Sequence, residues 1–571
     1  MKRIEVVGER TAARKAPATL DISARASLCL RHMLQNTDPK FGHVPFVGVT
    51  LGEARPHFVH HRLDWTEVLP YSVYGMVIAR DICGDDAGLD IQAAQRKLYL
   101  GFFNELDGLI HAPASPWNPA YPMCLWEQAR ALYALLYWFL DDGDERLLVR
   151  IHAVVDGLFG LSHQEGRQRL FPPALIRAVG MGPYGHGALI DPLVKVYELT
   201  GSTRALQMAE GIAHQLLRPA NGFFDETGRF SSWFRTVMSV INGLSRYAAL
   251  VEDPRVVERA KSIHDYAASL CTSFGSTPCT EPACSDMELT QSALSLVRLG
   301  FHEYWDMIDR FARNQTAEAQ FLDPSEWVSA KAARGRILDK ETWVYEGYPA
   351  DLATLPYDDY TDVVKRSAGG FLWTCADEHQ FVPASLMLCC SAHALRTFHL
   401  LWQQTLVEDI DGLRVNLHYT VENRLGSVTS WEPHQGKTVV VPRCEARLRV
   451  RIPEHAMAVP VRGSVGGVAR SLPLIGRYAD FGPVPAGAEC VLEFPLTPRE
   501  TEERQVVFDG KESSKIATVL PFRARWRGNT VIELTPRSTA EKRIYKRADL
   551  DRTEAVQKNL CCFISGKDIR W

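Results

Sequence analysis

The stretch "VYELTGSTRALQMAEG" (196–211) ends one helix and begins another within a few residues. Apolar residues recur at helical spacing on both sides of a short polar turn that contains Gly201 and Ser202. The stretches "YWFLDDGDERLLVRIH" (137–152) and "YAALVEDPRVVERAKS" (247–262) have the same form. Connections this short make the two helices antiparallel neighbours. Helical hairpins are therefore the unit that builds this part of the chain.

The first four hundred residues repeat this unit. Twelve helices in six hairpins predict an (α/α)6 barrel, a closed toroid in which inner and outer helices alternate. A superhelical solenoid is the alternative, but its repeats would be more uniform in length. The predicted helical segments are 20–34, 66–83, 90–107, 121–140, 144–159, 185–199, 202–217, 233–250, 254–270, 285–299, 301–318 and 386–406.

The period changes near residue 410. "RLRVRI" (447–452) alternates charged and apolar residues, as a half-buried strand does, and "TVLPFRARW" (518–526) continues in the same style. We predict an antiparallel β-sandwich after the barrel. The segment 320–385 is rich in Asp, Tyr and Trp and is expected to form the rim of a cleft. The predicted domains are an extension (1–19), the barrel (20–406), the sandwich (407–540) and a tail that packs on them (541–571).

Composition and charge limit the kinds of molecule that the protein is expected to bind. The chain has 571 residues, 46% of them hydrophobic, and a formal net charge of −4 without a basic stripe, so we expect no nucleic-acid partner. No apolar window approaches a membrane span, and the first residues do not form a signal peptide. We therefore expect a cytoplasmic protein that does not bind membranes. The sequence leaves a homodimer open.

Two of the clusters among the 13 cysteines lie at helix starts. "SLMLCCSAHALRTFHLLW" (385–402) contains Cys389 and Cys390, and "CTEPACSDMEL" (279–289) contains Glu281 and Cys284. Zn²⁺ takes four ligands from Cys, His, Asp or Glu, usually as two nearby pairs that the fold brings together. On the residues alone, a zinc site competes with buried free thiols beside an unrelated capping glutamate.

Several strings, in this order along the chain, resemble glycoside hydrolase family 127, the β-L-arabinofuranosidase-like enzymes, and the third string is closest to a divergent branch of that group. The resemblance implies an (α/α)6 barrel joined to β-sandwich domains, a carbohydrate substrate and a zinc-bound cysteine nucleophile. It implies a retaining glycoside hydrolase that releases a non-reducing-end sugar of furanose or deoxy-sugar type. The strings are "LWEQARALYALLYW", "YGHGALIDPLVKVYELTG", "EYWDMIDRFARNQTAEAQF", "RSAGGF", "CCSAHALR" and "RLRVRIPEHA".

By position, the resemblance implies that Cys389 is the nucleophile and that Cys390 and Glu281 are further zinc ligands. The family has Glu-x-Cys where this chain has Glu-Pro-Ala-Cys, so Cys284 is the expected fourth ligand and Cys279 is its rival. The histidine of "YGHGAL", His186, matches one that lines the sugar site in the family.

The chain departs from the family at the general acid/base. The family places a glutamate shortly before the Glu-x-Cys motif, whereas the span 262–280 contains no glutamate and only Asp265. Glu226 in "GFFDETG" lies in a predicted loop between two helices and is the expected substitute. The alternative for Glu226 is a solvated turn residue.

Aromatic side chains suit a sugar, because its C–H faces pack on rings. A polar group at the start of an inner helix, "VHHRLDWTEV" (59–68), is also expected to reach the cavity. The alternative for these residues is ordinary packing at a helix start or in the core. The candidates are Trp117, Trp126, Trp343 and Tyr345, together with His60, His61, Asp64 and Glu67.

Two other functions remain open at this point. The (α/α)6 barrel also hosts metal-free sugar epimerases or isomerases, and a non-catalytic carbohydrate-binding relative would keep the fold without the acid. Bound zinc favours the hydrolase, and its absence favours the other two. The pair Cys561 and Cys562 in the tail matches nothing in the family and is expected to have no part in the site.

Overall fold

The computed structural model of the protein describes all residues except 1, 3, 52–55, 62, 118–121, 178–181, 279–280, 325–356, 376–382, 509–515, 536–549 and 551. The α-helices among the described residues are α1 (Ile22–Gln35), α2 (Leu69–Cys83), α3 (Leu89–Leu100), α4 (Leu125–Asp142), α5 (Glu145–Leu161), α6 (Pro173–Arg177), α7 (Ile190–Thr200), α8 (Thr203–Leu217), α9 (Phe234–Val251), α10 (Pro254–Ser269), α11 (Pro282–Arg298), α12 (Tyr304–Phe311), α13 (Val363–Arg366) and α14 (Leu388–Thr405).

Helices buried on every side alternate along the chain with helices buried on one face. In α4, every residue from Leu125 to Trp138 is buried, the charged Glu127 and Arg130 included. The buried helices α2, α4, α7, α9, α11 and α14 each contact the next, and α14 returns to α2, so they close a ring. Amphipathic helices such as α5 and α8 lie outside it. The predicted (α/α)6 barrel is confirmed.

The turn between α7 and α8 shows why the hairpins form. Gly201 ends α7 with φ 69°, a left-handed conformation that costs glycine little. Ser202 then begins α8 by accepting a hydrogen bond from the backbone N–H of Ala205. The hairpin is therefore set by two adjacent residues with opposite capping roles.

Some predicted boundaries differ from the structure. The helix predicted at 285–299 begins at Pro282, because proline fits the first turn, where no backbone donor is needed. The helix predicted at 90–107 ends at Leu100. A π-helical turn, Asp64–Val68, precedes α2, and another, Ala312–Thr316, follows α12. The 3-10 segment Gly182–Leu189 leads into α7.

The described strands are β1 (Gly8–Arg10), β2 (Arg14–Pro17), β3 (Thr37–Asp38), β4 (Val44–Pro45), β5 (Gly48–Thr50), β6 (His57–Val59), β7 (His163–Glu165), β8 (Gln168–Leu170), β9 (Leu372–Cys375), β10 (Pro383–Met387), β11 (Leu406–Asp409), β12 (Gly412–Val415), β13 (Val421–Asn423), β14 (Gly426–Ser430), β15 (Lys437–Pro442), β16 (Ala446–Arg451), β17 (Arg462–Val465), β18 (Val468–Arg470), β19 (Leu474–Ile475), β20 (Tyr478–Val484), β21 (Cys490–Glu493), β22 (Pro498–Phe508), β23 (Ile516–Arg527), β24 (Thr530–Thr535), β25 (Gln557–Leu560) and β26 (Phe563–Ser565).

Two sheets follow the barrel directly. Their strand orders are β11-β12-β16-β20-β19 and β13-β14-β15-β21-β17-β18, and buried residues of both, such as Leu448 and Val440, belong to one hydrophobic core. The later strands β22-β23-β24 form a separate sheet. Its Phe522 and Trp526 pack on Phe274, in the loop before α11. The strands after β21 are therefore not part of the two packed sheets, although the prediction placed them in the sandwich, because their aromatic residues are buried against the barrel.

The two ends of the chain pair with each other. β1 pairs with β26 and β2 with β25, both antiparallel. The tail then runs across the C-terminal ends of inner helices: the backbone oxygens of Ile569 and Trp571 accept hydrogen bonds from Gln403 in α14 and Arg298 in α11. No described helix is both long and apolar enough to span a membrane. The predicted rim segment lies largely outside the described residues.

Candidate metal and active site

Both cysteine clusters occupy the first turns of inner helices. Cys284 is the third residue of α11, and Cys389 and Cys390 are the second and third residues of α14. The first backbone N–H groups of a helix have no intrahelical acceptor, and the helix dipole is positive there. Two helix starts therefore direct positive potential toward the same sulfur atoms, which favours thiolates.

The three sulfur atoms lie together. The Sγ of Cys284 is 3.8 Å from that of Cys389 and 3.4 Å from that of Cys390, and all three atoms lie within 4.8 Å of one another. All three residues are buried, but Cys389 is 5% exposed while Cys284 and Cys390 are 0% exposed. The cluster is compatible with a buried metal site, and Cys389 is its most accessible member.

Glu281 precedes α11 directly but does not belong to the set of mutually close ligand atoms. Its Oε2 lies 3.3 Å from Nε of Arg235, in α9. Burial, with the nearby Cys284, raises the pKa of Glu281 to about 8, while the Arg235 charge acts in the opposite direction. The structure thus brings Glu281 to the edge of the cluster, with its carboxyl group against the Arg235 guanidinium.

The three thiols differ in how readily they ionise. Burial opposes ionisation of all three, but hydrogen bonds from Cys389 and Cys390 lower the pKa of Cys284 well below its usual value. Burial and the interaction with Cys284 raise the pKa values of Cys389 and Cys390. Among the three thiols, the surroundings therefore favour ionisation of Cys284 and disfavour ionisation of Cys389 and Cys390.

Arg235 connects the cluster to its surroundings. Besides Glu281, its guanidinium lies 3.4 Å from Oε1 of Glu288 and donates to Nε2 of His393 at 3.2 Å. The Nδ1 of His393 donates to the backbone oxygen of Cys389 at 2.7 Å. The sequence prediction missed these residues, although Glu288 and His393 each lie four residues after a cluster cysteine and so share its helix face.

An acidic and aromatic wall lies beside Arg235. The indole N–H of Trp126, in α4, donates to Oε1 of Glu67 at 3.0 Å. The guanidinium carbons of Arg130 and Arg235 lie 4.0 and 5.6 Å from the centre of the Trp126 ring. One turn after Glu67, the Tyr71 ring lies 4.8 Å from that of His393. The structure therefore brings Trp126 and Glu67 toward the cysteines.

The structure places His186 and Glu226 elsewhere. His186 is buried and bonds Oε1 of Gln215, on outer helix α8, through Nε2 at 3.0 Å, and no described contact joins it to the cysteines. Burial lowers the pKa of His186 to about 4. Glu226 is exposed in the turn between α8 and α9, where Arg259 donates to its backbone oxygen.

Trp117 and the two neighbouring histidines form a packed group. The rings of His60 and Trp117 stack at 3.9 Å, and Trp117 donates to the backbone oxygen of His61. His60 bonds Asp64 through Nδ1 at 2.7 Å.

Cys561 is exposed and lies in the tail, as Cys562 does. Three other candidates fall outside the described residues: Cys279, Trp343 and Tyr345.

Solved structures share this architecture. A GH127 β-L-arabinofuranosidase from Geobacillus stearothermophilus T6 matches with a TM-score of 0.55 at 14% identity, over 91% of this chain and 86% of that one. A GH127 β-arabinofuranosidase matches with 0.59 at 12% identity, over 93% and 85%. A glycoside hydrolase matches with 0.54 at 12% identity, over 92% and 83%. The chain has the fold of the GH127 enzymes.

The predicted GH127 resemblance is thus confirmed at the level of fold. Neither a protein-family model nor the sequence of a curated relative matches the chain. In this GH127 fold, the cysteine cluster lies at the N-terminal ends of inner helices α11 and α14, and the tail crosses their C-terminal ends. The candidate site and the tail therefore occupy opposite ends of the toroid.

Proposed function

We propose that the protein is a retaining glycoside hydrolase that releases a non-reducing-end sugar, with Cys389 as the nucleophile and one zinc ion bound by Cys284, Cys389, Cys390 and Glu281. The observation that carries this proposal is the meeting of three thiols at the starts of two inner helices. Core cysteines that only fill space have no reason to be grouped in this way.

The donor set fits zinc. Zn–S bonds of about 2.3 Å in a tetrahedron put the sulfurs about 3.8 Å apart. The two sulfur distances from Cys284, 3.8 and 3.4 Å, are close to this value. Glu281 supplies the fourth ligand if its carboxylate turns from Arg235 to the sulfurs. Zinc bound there supplies deprotonated thiolates at neutral pH.

We assign the role of nucleophile to Cys389, the most accessible of the three thiols. The Cys389 thiolate attacks the anomeric carbon, so a C–S bond forms as the C–O bond to the leaving group breaks. The leaving oxygen takes a proton from an acid. Water then attacks the same carbon, gives its proton to the conjugate base and displaces the thiolate. Two displacements retain the anomeric configuration.

The proposed substrate class is supported by two structures of the same fold, which are described as a β-L-arabinofuranosidase and a β-arabinofuranosidase. We propose a furanoside of this type, with a deoxy sugar as the second choice. The aromatic wall of Trp126 suits the C–H face of a sugar ring. A metal-free epimerase would not need grouped thiols.

The first test measures zinc and turnover together. Purified protein should hold about one zinc per chain by elemental analysis, since the four ligands form one site. Cys389→Ser should abolish hydrolysis of 4-nitrophenyl β-L-arabinofuranoside while the fold is retained, because a hydroxyl is a far poorer nucleophile at neutral pH. The matched control is Cys561→Ser, at an exposed cysteine.

Two results would contradict the proposal. One is a metal-replete preparation without zinc, which favours the epimerase or the non-catalytic relative. The other is normal specific activity of the Cys389→Ser variant. If the cysteines only fill the core, the added hydroxyl costs roughly 1–3 kcal/mol of stability and activity per folded molecule survives.

A further inference from the structure

We propose that Glu67 is the general acid/base of this site, donating a proton to the leaving oxygen and later accepting one from water. This inference rests on the proposed hydrolase function. Retaining hydrolysis requires a carboxyl group opposite the nucleophile. Glu226, the substitute expected from the sequence, is exposed in a turn and has no described contact with the cysteines.

The position of Glu67 in the ring supports this role. It lies in the π-helical turn directly before α2, and Cys389 is the second residue of α14, the neighbouring inner helix. One turn further along each helix, the rings of Tyr71 and His393 are 4.8 Å apart. Inner helices of an alternating barrel run parallel, so Glu67 and Cys389 lie at the same end of the ring.

A second set of contacts links Glu67 to the cluster through α4, α9 and α11. Glu67 accepts from Trp126, the Trp126 ring lies beside Arg235, and Arg235 pairs with Glu281. Glu281 in turn directly precedes the helix that carries Cys284. Glu67 is therefore held beside the sulfur cluster and is not itself one of its proposed ligands.

Among the described glutamates around the site, Glu67 has a carboxyl oxygen that is available to a substrate. Its Oε1 accepts from the indole, but its Oε2 has no hydrogen-bond partner among the described residues, although the side chain is only 5% exposed. Glu127 accepts from Thr66 and Cys124, one at each oxygen. Both oxygens of Glu288 also accept hydrogen bonds. A buried oxygen without a partner is costly unless a ligand or water uses it.

The surroundings of Glu67 also favour a proton at neutral pH. Burial raises the pKa of Glu67 to about 7, while the Arg130 charge and the Trp126 hydrogen bond act in the opposite direction. A general acid/base works best when its pKa lies near the operating pH. The carboxyl group can then give its proton in the first displacement and take one back in the second.

The test compares two leaving groups. The Glu67→Gln variant should lose about 10²–10⁴-fold in kcat/KM on methyl β-L-arabinofuranoside, whose methanol needs the proton. The loss on the 4-nitrophenyl glycoside should be much smaller, because nitrophenolate leaves without one. Intact-mass analysis should then show one pentosyl unit accumulating on Cys389, since no base activates water. The control is Glu105→Gln, at a glutamate whose side chain is 81% exposed.

Rescue by an added nucleophile separates loss of the acid/base from a folding defect, because a variant that fails to fold cannot regain activity. Azide should restore turnover of the 4-nitrophenyl glycoside by Glu67→Ala, giving an arabinofuranosyl azide of retained configuration, because azide needs no base. Equal losses of Glu67→Gln on both substrates without a pentosyl adduct, or azide rescue of Glu226→Ala instead, would overturn the role of Glu67 alone. A wild-type protein that hydrolyses neither glycoside would overturn the proposed function and this role with it.

Discussion

At the scale of single residues, Arg235 is a buried cation that contacts the carboxyl groups beside the cysteines. It lies between Glu281 and Glu288, and it is only 3% exposed. Ser239 and Asn242 complete the hydrogen bonds of Glu288. Burial alone would raise the pKa of Glu288, but the charges of Arg235, His393, Arg396 and Arg130 together outweigh burial and lower it, with Arg235 contributing most among them. One guanidinium therefore contacts two buried carboxyl groups and favours the ionised form of each.

Arg235→Met should lower the free energy of unfolding by about 3–5 kcal/mol, because removing one partner of a buried ion pair leaves the others uncompensated. Chemical denaturation of the metal-loaded protein measures this. Arg167→Met is the matched control, since Arg167 forms an ion pair with Glu210 while 74% exposed, and its effect should be far smaller. A similar loss for both variants would show that Arg235 has no special structural role.

At the scale of elements, α12 joins the barrel to the strand region through buried charges. Asp306 in α12 accepts from Arg451 in β16 at 2.9 Å and from the backbone N–H of Glu454 at 3.0 Å. Burial opposes ionisation, but the Arg451 charge and the Glu454 hydrogen bond outweigh it and lower the pKa of Asp306 to about 2. The junction therefore depends on an ionised aspartate.

A lowered folded-state pKa stabilises the protein above the unfolded-state pKa of about 4, and the contribution is lost as pH falls from there toward 2. The contribution of Asp306 is about 2 kcal/mol at neutral pH. Asp306→Asn should thus be less stable than the parent protein at pH 7, with the gap narrowing by about this amount toward pH 2. Urea unfolding across this range measures the gap.

Asp568→Asn provides the control for that series, because Asp568 is 69% exposed at the surface of the tail. Its unfolding should follow that of the parent protein at every pH. A gap for Asp306→Asn that stays constant from pH 7 to pH 2 would contradict the ionisation argument, even if the variant is less stable throughout.

At the scale of the whole molecule, the last residue of the tail fills the toroid from the end opposite the cysteines. The Trp571 ring stacks on Tyr133 and Tyr137 at 4.9 and 4.7 Å, and its N–H donates to Asp191 at 3.1 Å. The guanidinium of Arg396 lies 5.2 Å from its ring. The barrel is thus completed by residues more than 150 positions after its last helix.

Trp571→Ala should cost about 3–5 kcal/mol of unfolding free energy, because it leaves a cavity among stacked rings. Thermal or chemical unfolding measures the loss, and the cysteine site at the other end should retain its metal content. The neighbouring Arg570, 80% exposed, supplies the control variant Arg570→Ala, which should unfold like the parent protein. Unchanged stability of Trp571→Ala would mean that the tail only rests on the barrel.

The sequence by itself determined the local architecture. Helical spacing and paired capping residues such as Gly201 and Ser202 predict the hairpins, and alternation in 447–452 predicts a strand, because these signals act between residues a few positions apart. The cysteine pairs also identified the cluster, since its members lie in two short segments.

Only the tertiary structure decided how these elements meet. No local pattern relates Glu67 to Cys389, or Arg235 to Glu281, since the residues of each pair lie on different helices of the ring. The same holds for Trp571, which finds its partners in α4 and α7. Burial and charge compensation depend on distances that closure of the toroid sets, and these distances leave no periodic trace in the chain.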